Sequence, residues 1–299
     1  MRKFLAATLT AALLALTGCA GGVASDRPLV VVTTNILGDV VSNLVGDDVE
    51  VLTLMRPGAD PHSFEISAAE GARLRSADLL VANGIGLEEG LQQHLDAAAS
   101  EGVHTFVAGD AVTVLPYTST DADGGDEPHF WTDPARMIAV VDALTPVLEE
   151  VGGPAVGEHA AAYRAELEGL DAEMTAAFAG IPAERRALVT NHHVFGYLAD
   201  RFGFRVVGAV IPGGTTLAAP SASDLADLVS AIDEAGVPTI FAESSSPDRL
   251  VRALANEADR DVEVTELFTE SLTDAGGGAP DYLTMMRVNT ERITTGLSP

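Results

Sequence analysis

Cysteine is nearly missing from this 299-residue chain: it has one, Cys19, so no intrachain disulfide can form. Cations are scarce too. Lys and Arg number 17 against 44 Asp and Glu, a formal net charge of −27. That balance excludes a general nucleic-acid binder, which needs a basic patch for phosphates. It equally excludes docking on anionic lipid through a polybasic face. The N-terminal apolar stretch falls short of the roughly 20 residues that span a bilayer. There is no His-Glu-x-x-His pair and no serine nucleophile elbow, so two common hydrolase signatures are missing. What the chain does have is 47% hydrophobic residues, too many for a disordered polymer of this charge. Its length suits one large or two medium domains, each able to bury a core, under an acidic, self-repelling surface.

The first residues read as a targeting segment. Arg2 and Lys3 are followed by an uncharged, mostly apolar run over 4–16, and then by Leu16-Thr-Gly-Cys19. This order resembles a bacterial lipobox. The resemblance implies removal of residues 1–18, lipidation of Cys19 and a small, polar tether over 19–27.

Beyond it, short β-branched runs alternate with helical ones, twice. Strands are expected over 29–34, 49–55, 79–82 and 104–107, and again over 187–190, 205–211, 239–242 and 262–267. Continuous apolar strands separated by helices indicate parallel sheets covered on both faces. Asn35 is placed to cap a helix bearing Ile36, Val40, Val41 and Leu44, and Ser221 or Ser223 to cap one that Gly236 ends. Between the halves, Tyr163, Leu167, Leu170, Met174 and Phe178 recur at helical spacing, predicting one amphipathic helix over about 154–179. At ~1.5 Å per residue it would be roughly 40 Å long, a stiff connector. The expected organisation is a two-lobed α/β protein: a parallel-sheet lobe over 28–152, a connecting helix over 153–180 and a second parallel-sheet lobe over 181–299.

Seven histidines separate by context. His62, His129 and His192 fall near strand ends or helix starts, where open α/β sheets bind ligands. His94, His104 and His159 lie within helical or strand runs and read as structural or solvated, and His193 as either a neighbour behind His192 or an exposed residue.

Five segments in order, Pro57-Gly-Ala-Asp-Pro-His-Ser-Phe-Glu65, Pro128-His-Phe-Trp-Thr-Asp-Pro134, Asn191-His-His-Val-Phe-Gly-Tyr-Leu198, Ala219-Pro-Ser-Ala-Ser-Asp-Leu225 and Tyr282-Leu-Thr-Met-Met-Arg-Val-Asn289, resemble the zinc/manganese-type solute-binding proteins of ABC importers. The resemblance covers nearly all of the chain after the leader. It implies two α/β lobes joined by one long helix with the metal in the cleft between them, and a membrane permease as partner. It implies His62, His129 and His192 as ligands. Asp281, beside Tyr282, is the implied fourth ligand, with the N-cap of the last helix as its alternative role. Glu243 is the other candidate for that place, or a support behind a ligand histidine. Three imidazoles and one carboxylate suit Zn²⁺ in a tetrahedral site. Manganese-selective relatives resemble the same pattern with a carboxylate for the third histidine, so His192 favours zinc over Mn²⁺. The acidic stretch 119–127 has no histidine and reads as a solvated loop, or as a weak cation-collecting or metallochaperone contact. A non-enzymatic, monomeric, extracytoplasmic protein anchored by lipid is the expectation. The rival, a zinc hydrolase with Glu243 as base, lacks any further support in the sequence.

Overall fold

The computed structural model describes residues 27–118 and 124–298; Cys19 and residues 119–123 of the acidic stretch lie outside the described residues. Strands β1 (Leu29–Val32), β2 (Glu50–Thr53), β3 (Leu79–Ala82) and β4 (Thr105–Val107) form a parallel sheet in the order β2-β1-β3-β4. Strands β5 (Ala187–Thr190), β6 (Arg205–Ala209), β7 (Thr239–Glu243) and β8 (Glu263–Leu267) form a second in the same order, β6-β5-β7-β8. The inner strands β1, β3, β5 and β7 are buried throughout, which is why they read as unbroken apolar runs; β2 and β4 are half-buried. In both sheets the winding reverses beside the first strand. A crevice therefore opens beyond the carboxyl ends of β1 and β3 and of β5 and β7, the place where doubly wound sheets hold ligands.

Helices α1 (Asn35–Val45), α2 (Ala68–Arg75), α3 (Gln92–Ser100) and α4 (Pro134–Gly152) accompany the first sheet, and α6 (Gly196–Phe202), α7 (Ala222–Ala235), α8 (Arg249–Glu257) and α9 (Tyr282–Leu297) the second. Helix α5 (Ala155–Ala179) lies between the two in sequence and is 25 residues long. Its buried stripe of Val156, Ala160, Tyr163, Leu167, Leu170, Met174 and Phe178 packs on α1 and α4 of one half and α9 of the other. The expected start holds at α7, where Ser221 and Asp224 form a capping box, and α4 is capped just ahead of Pro134 by Asp133, whose side chain accepts from the Ala135 N–H. At α1 the structure differs. Thr34 is the cap, accepting from the Leu37 N–H, and Asn35 is the first helical residue with its side chain committed elsewhere.

The apolar core is shared. One cluster runs from Val30 and Val32 through Leu44, Phe130, Trp131 and the buried stripe of α5 to Leu267, Tyr282 and Met286. Smaller clusters lie between the second sheet and α7 and α8, and on the outer side of the first sheet. No helix among the described residues is long and apolar enough to cross a membrane.

Candidate metal centre

Four side chains converge from four loops, each just beyond the carboxyl end of a strand or at the start of a short turn. His62 follows β2 in a turn that Asp60 fixes by accepting the His62 N–H at 2.9 Å. His129 precedes a 3-10 turn over Phe130–Thr132, and the Thr132 hydroxyl donates to its carbonyl. His192 lies two residues beyond β5, with its carbonyl accepting from the Thr190 hydroxyl at 2.6 Å. Glu270 lies three residues beyond β8.

The three imidazoles present the same nitrogen to one point. His62, His129 and His192 place Nε2 at 3.1, 3.1 and 3.0 Å from Glu270 Oε1, and the His62 and His129 Nε2 atoms are 3.3 Å apart. All four side chains are 0–1% exposed, and their ligand atoms all lie within 4.8 Å of one another. A tetrahedral ion with bonds of about 2.0–2.1 Å needs ligand edges of about 3.3–3.4 Å, so the cluster is already close to the size of a divalent first-row ion. Behind the cluster, each Nδ1 faces a carboxylate in ion-pair range: Glu89 for His62 at 3.8 Å, Glu127 for His129 at 3.7 Å and Glu243 for His192 at 3.2 Å. With a cation in the cluster, carboxylates facing Nδ1 would favour the proton there and leave the Nε2 lone pairs for the ion.

Electrostatics couples the four. Burial alone would lower the pKa of His192, but the charges of Glu270 and Glu243 outweigh it and hold it well above the ordinary range. His129 is raised in the same way, burial being outweighed by the nearby carboxylates of Glu127 and Glu270. Burial would raise Glu270, yet the three histidines hold it well below the usual carboxylate range. Burial and the charge of Glu270 raise Glu243, partly offset by His192. Without a metal, protons on His129 and His192 thus balance the buried carboxylate. A cation displaces those protons and takes over the role.

Asp281 is not in this group. It is the N-cap of α9: its Oδ1 accepts the Thr284 N–H at 2.7 Å and its Oδ2 the Thr284 hydroxyl at 2.8 Å. Both oxygens serve the helix end, so the expectation of Asp281 as fourth ligand gives way to the alternative role. The carboxylate that does meet the three histidines is Glu270, which the sequence reading missed. Its position just past the last strand, in Phe268-Thr-Glu-Ser271, was the available signal. Glu243 stands behind His192 rather than beside the Nε2 atoms. His193 is buried with its ring 6.2 Å from that of Tyr117 and is not one of the four. Glu127, read as the end of a solvated loop, is instead buried at 2% exposure and accepts the Gly196 N–H at 2.8 Å. Its carboxylate fills the space a Cβ at Gly196 would need.

Compared with known proteins, residues 30–296 match the profile described as "ZnuA: Zinc-uptake complex component A periplasmic". The chain belongs to this family. As a ZnuA-family protein it is a metal-binding solute-binding component of an ABC importer, not an enzyme. It is 31% identical to the zinc-binding protein TroA of Treponema pallidum over 94% of this chain and 92% of that one. It is 29% identical to the manganese ABC transporter substrate-binding lipoprotein PsaA of Streptococcus pneumoniae, over 98% and 97%. The manganese-binding lipoprotein MntA of Bacillus subtilis is 30% identical over 99% of this chain and 100% of its own. The solved structure of the Treponema pallidum periplasmic zinc-binding protein superposes with a TM-score of 0.84 at 30% identity, covering 91% of this chain and 100% of the other. That agreement extends to two parallel-sheet lobes with the metal site between them, the arrangement expected from the sequence.

Proposed function

We propose that this ZnuA-family chain captures Zn²⁺ outside the cytoplasm and passes it to its membrane permease, with His62, His129, His192 and Glu270 as the four donors. The observation that carries the reading is the convergence of three Nε2 atoms on one buried carboxylate oxygen. A set of three imidazoles and one carboxylate is nitrogen-rich, which suits zinc better than the harder Mn²⁺. The second oxygen of Glu270 has no hydrogen-bond partner among the described residues, and a bidentate carboxylate would add an oxygen donor; that, with the manganese-named relatives, makes Mn²⁺ the competing cargo. Metal analysis of protein purified without added metal, followed by competition between the two ions, decides between them. Zinc should co-purify and displace manganese; manganese retained against equimolar zinc overturns the assignment. Attachment to the membrane runs through lipidated Cys19, in keeping with relatives named as lipoproteins. An unmodified mature N-terminus, read by mass spectrometry, would count against it.

A further inference from the structure

Glu270 belongs by sequence to the second lobe, yet most hydrogen bonds of its loop go to the first. Phe268 is held by its own lobe: the Asn289 side chain accepts its N–H at 2.9 Å and donates to its carbonyl at 2.7 Å. From the next residue on, the partners change sides. The Thr269 carbonyl accepts from Trp131 Nε1 at 2.8 Å. The Ser271 hydroxyl oxygen accepts from Asn35 Nδ2 at 2.8 Å and from the Gly58 N–H at 2.9 Å. The Leu272 N–H donates to Asn35 Oδ1 at 3.0 Å, and its carbonyl accepts from Gly58. Asn35 thus uses both ends of its amide on the two residues after Glu270, and this fixes the amide's orientation: flipped, it would set its NH₂ against the Leu272 N–H. Asn35 is 7% exposed and Ser271 1%. Gly58, at φ +73°, turns its N–H toward Ser271 and lies four residues before His62.

We propose that Asn35 is the positioning residue for Glu270, fixing the loop that carries the cleft's carboxylate against the lobe that carries His62 and His129. The proposal rests on the reading of the four side chains as metal donors. Thr34 caps α1, so the neighbouring amide is available for this task. Glu270 Oε1 then meets Nε2 atoms of both lobes only while Asn35 and Gly58 hold the loop. Lobe docking and completion of the donor set become one event.

The test compares Asn35→Ala and Ser271→Ala with the parent, alone and in a Glu270→Ala background. The readouts are the visible absorption of the Co²⁺-loaded protein and the rate of Zn²⁺ release to excess chelator. Asn35→Ala should alter the Co²⁺ bands and speed zinc release by about tenfold or more, the scale of changes one shell behind a ligand. Ser271→Ala, which keeps the bond from Leu272 to Asn35, should do the same to a smaller extent, and it carries the test if Asn35→Ala fails to fold. In the Glu270→Ala background, adding Asn35→Ala should change release less than about twofold, because the partner through which it acts is gone. An unchanged spectrum and release rate with a lowered melting temperature would make Asn35 a stability residue only and overturn the proposal. So would an equal acceleration with and without Glu270. If Glu270→Ala itself releases zinc like the parent, the donor assignment fails and takes the proposal with it.

Discussion

Replacing Glu270 by Gln keeps the side-chain shape and one oxygen but removes the charge. The magnitude follows from the surroundings. Three neutral imidazoles leave a bound divalent ion with its full +2 in a pocket whose donors are 0–1% exposed, and the one carboxylate halves that charge. Changes one shell behind a ligand already cost about 10–100-fold in affinity, so loss of the anionic donor should cost at least ~100-fold, or about 2.8 kcal/mol. Asp281→Ala is the companion. It removes an N-cap that holds the Thr284 N–H and hydroxyl, which costs about 1 kcal/mol of stability and roughly 2–4 °C in Tm. That loss falls equally on metal-free and metal-loaded protein, so the zinc Kd should not move. Titration against a competing chelating dye gives the Kd, and thermal melts by circular dichroism give the stability. The reasoning is refuted if Asp281→Ala weakens zinc as much as Glu270→Gln does, or if Glu270→Gln binds like the parent.

Acid should act on the free and loaded forms in opposite directions. His192 and His129 are held above 6.5 on folding, so their stabilising share is complete below about 6.5 and fades as pH rises through their folded values. Glu270 is held below 4.5, so its share is complete above about 4.5 and fades as pH falls through its folded value. The metal-free protein should therefore gain from this cluster in mildly acidic solution, while zinc needs neutral imidazoles; the rise in Tm caused by zinc should shrink between about pH 8 and 6, and a constant rise would contradict a three-imidazole site. Asp39 on α1 is a further titrating group. Burial, against a hydrogen bond from the Tyr282 N–H and with Asp281 nearby, raises its pKa from 3.8 to about 6. Its proton is held more tightly when folded, so ionisation above pH 6 costs up to about 3 kcal/mol, less whatever solvent screening removes. Asp39→Asn should raise the Tm at neutral pH and remove part of the stabilisation on acidification; an unchanged melting profile from pH 7.5 to 4.5 would reject this.

Much of the architecture was legible because it rests on local patterns. The central strands are buried on both faces, so Leu29–Val32 and Leu79–Ala82 show as continuous apolar runs, and α5 shows its stripe at every third or fourth residue. His62, His129 and His192 stood out because histidines are few, seven in the chain, and these three flank strand ends or turns. The carboxylate was harder. It is one among 44 acidic residues, and only the fold decides which of them faces the imidazoles. Asp281 stands beside Tyr282 at the start of the last helix, yet its two oxygens go to Thr284. Asn35 was misread for a related reason. Thr34 and Asn35 are both good caps, and nothing local reveals that the second is needed by Leu272, more than 200 residues away. Long-range hydrogen bonds leave no periodic trace in a sequence.

The common apolar cluster has the two lobes melting as one body. Val30 at one end and Met286 at the other contribute to the same interior through Phe130, Trp131 and α5, so neither lobe owns a complete core. Heat should unfold them in a single calorimetric transition, and bound metal should slow amide exchange in β1 and β3 as much as near its donors. One exception is the layer of α7 and α8 on the second sheet, which has an interior of its own around Leu228, Ile232 and Val251. That layer can open locally and reclose with the metal still in place, and its amides should exchange by a route that zinc does not slow.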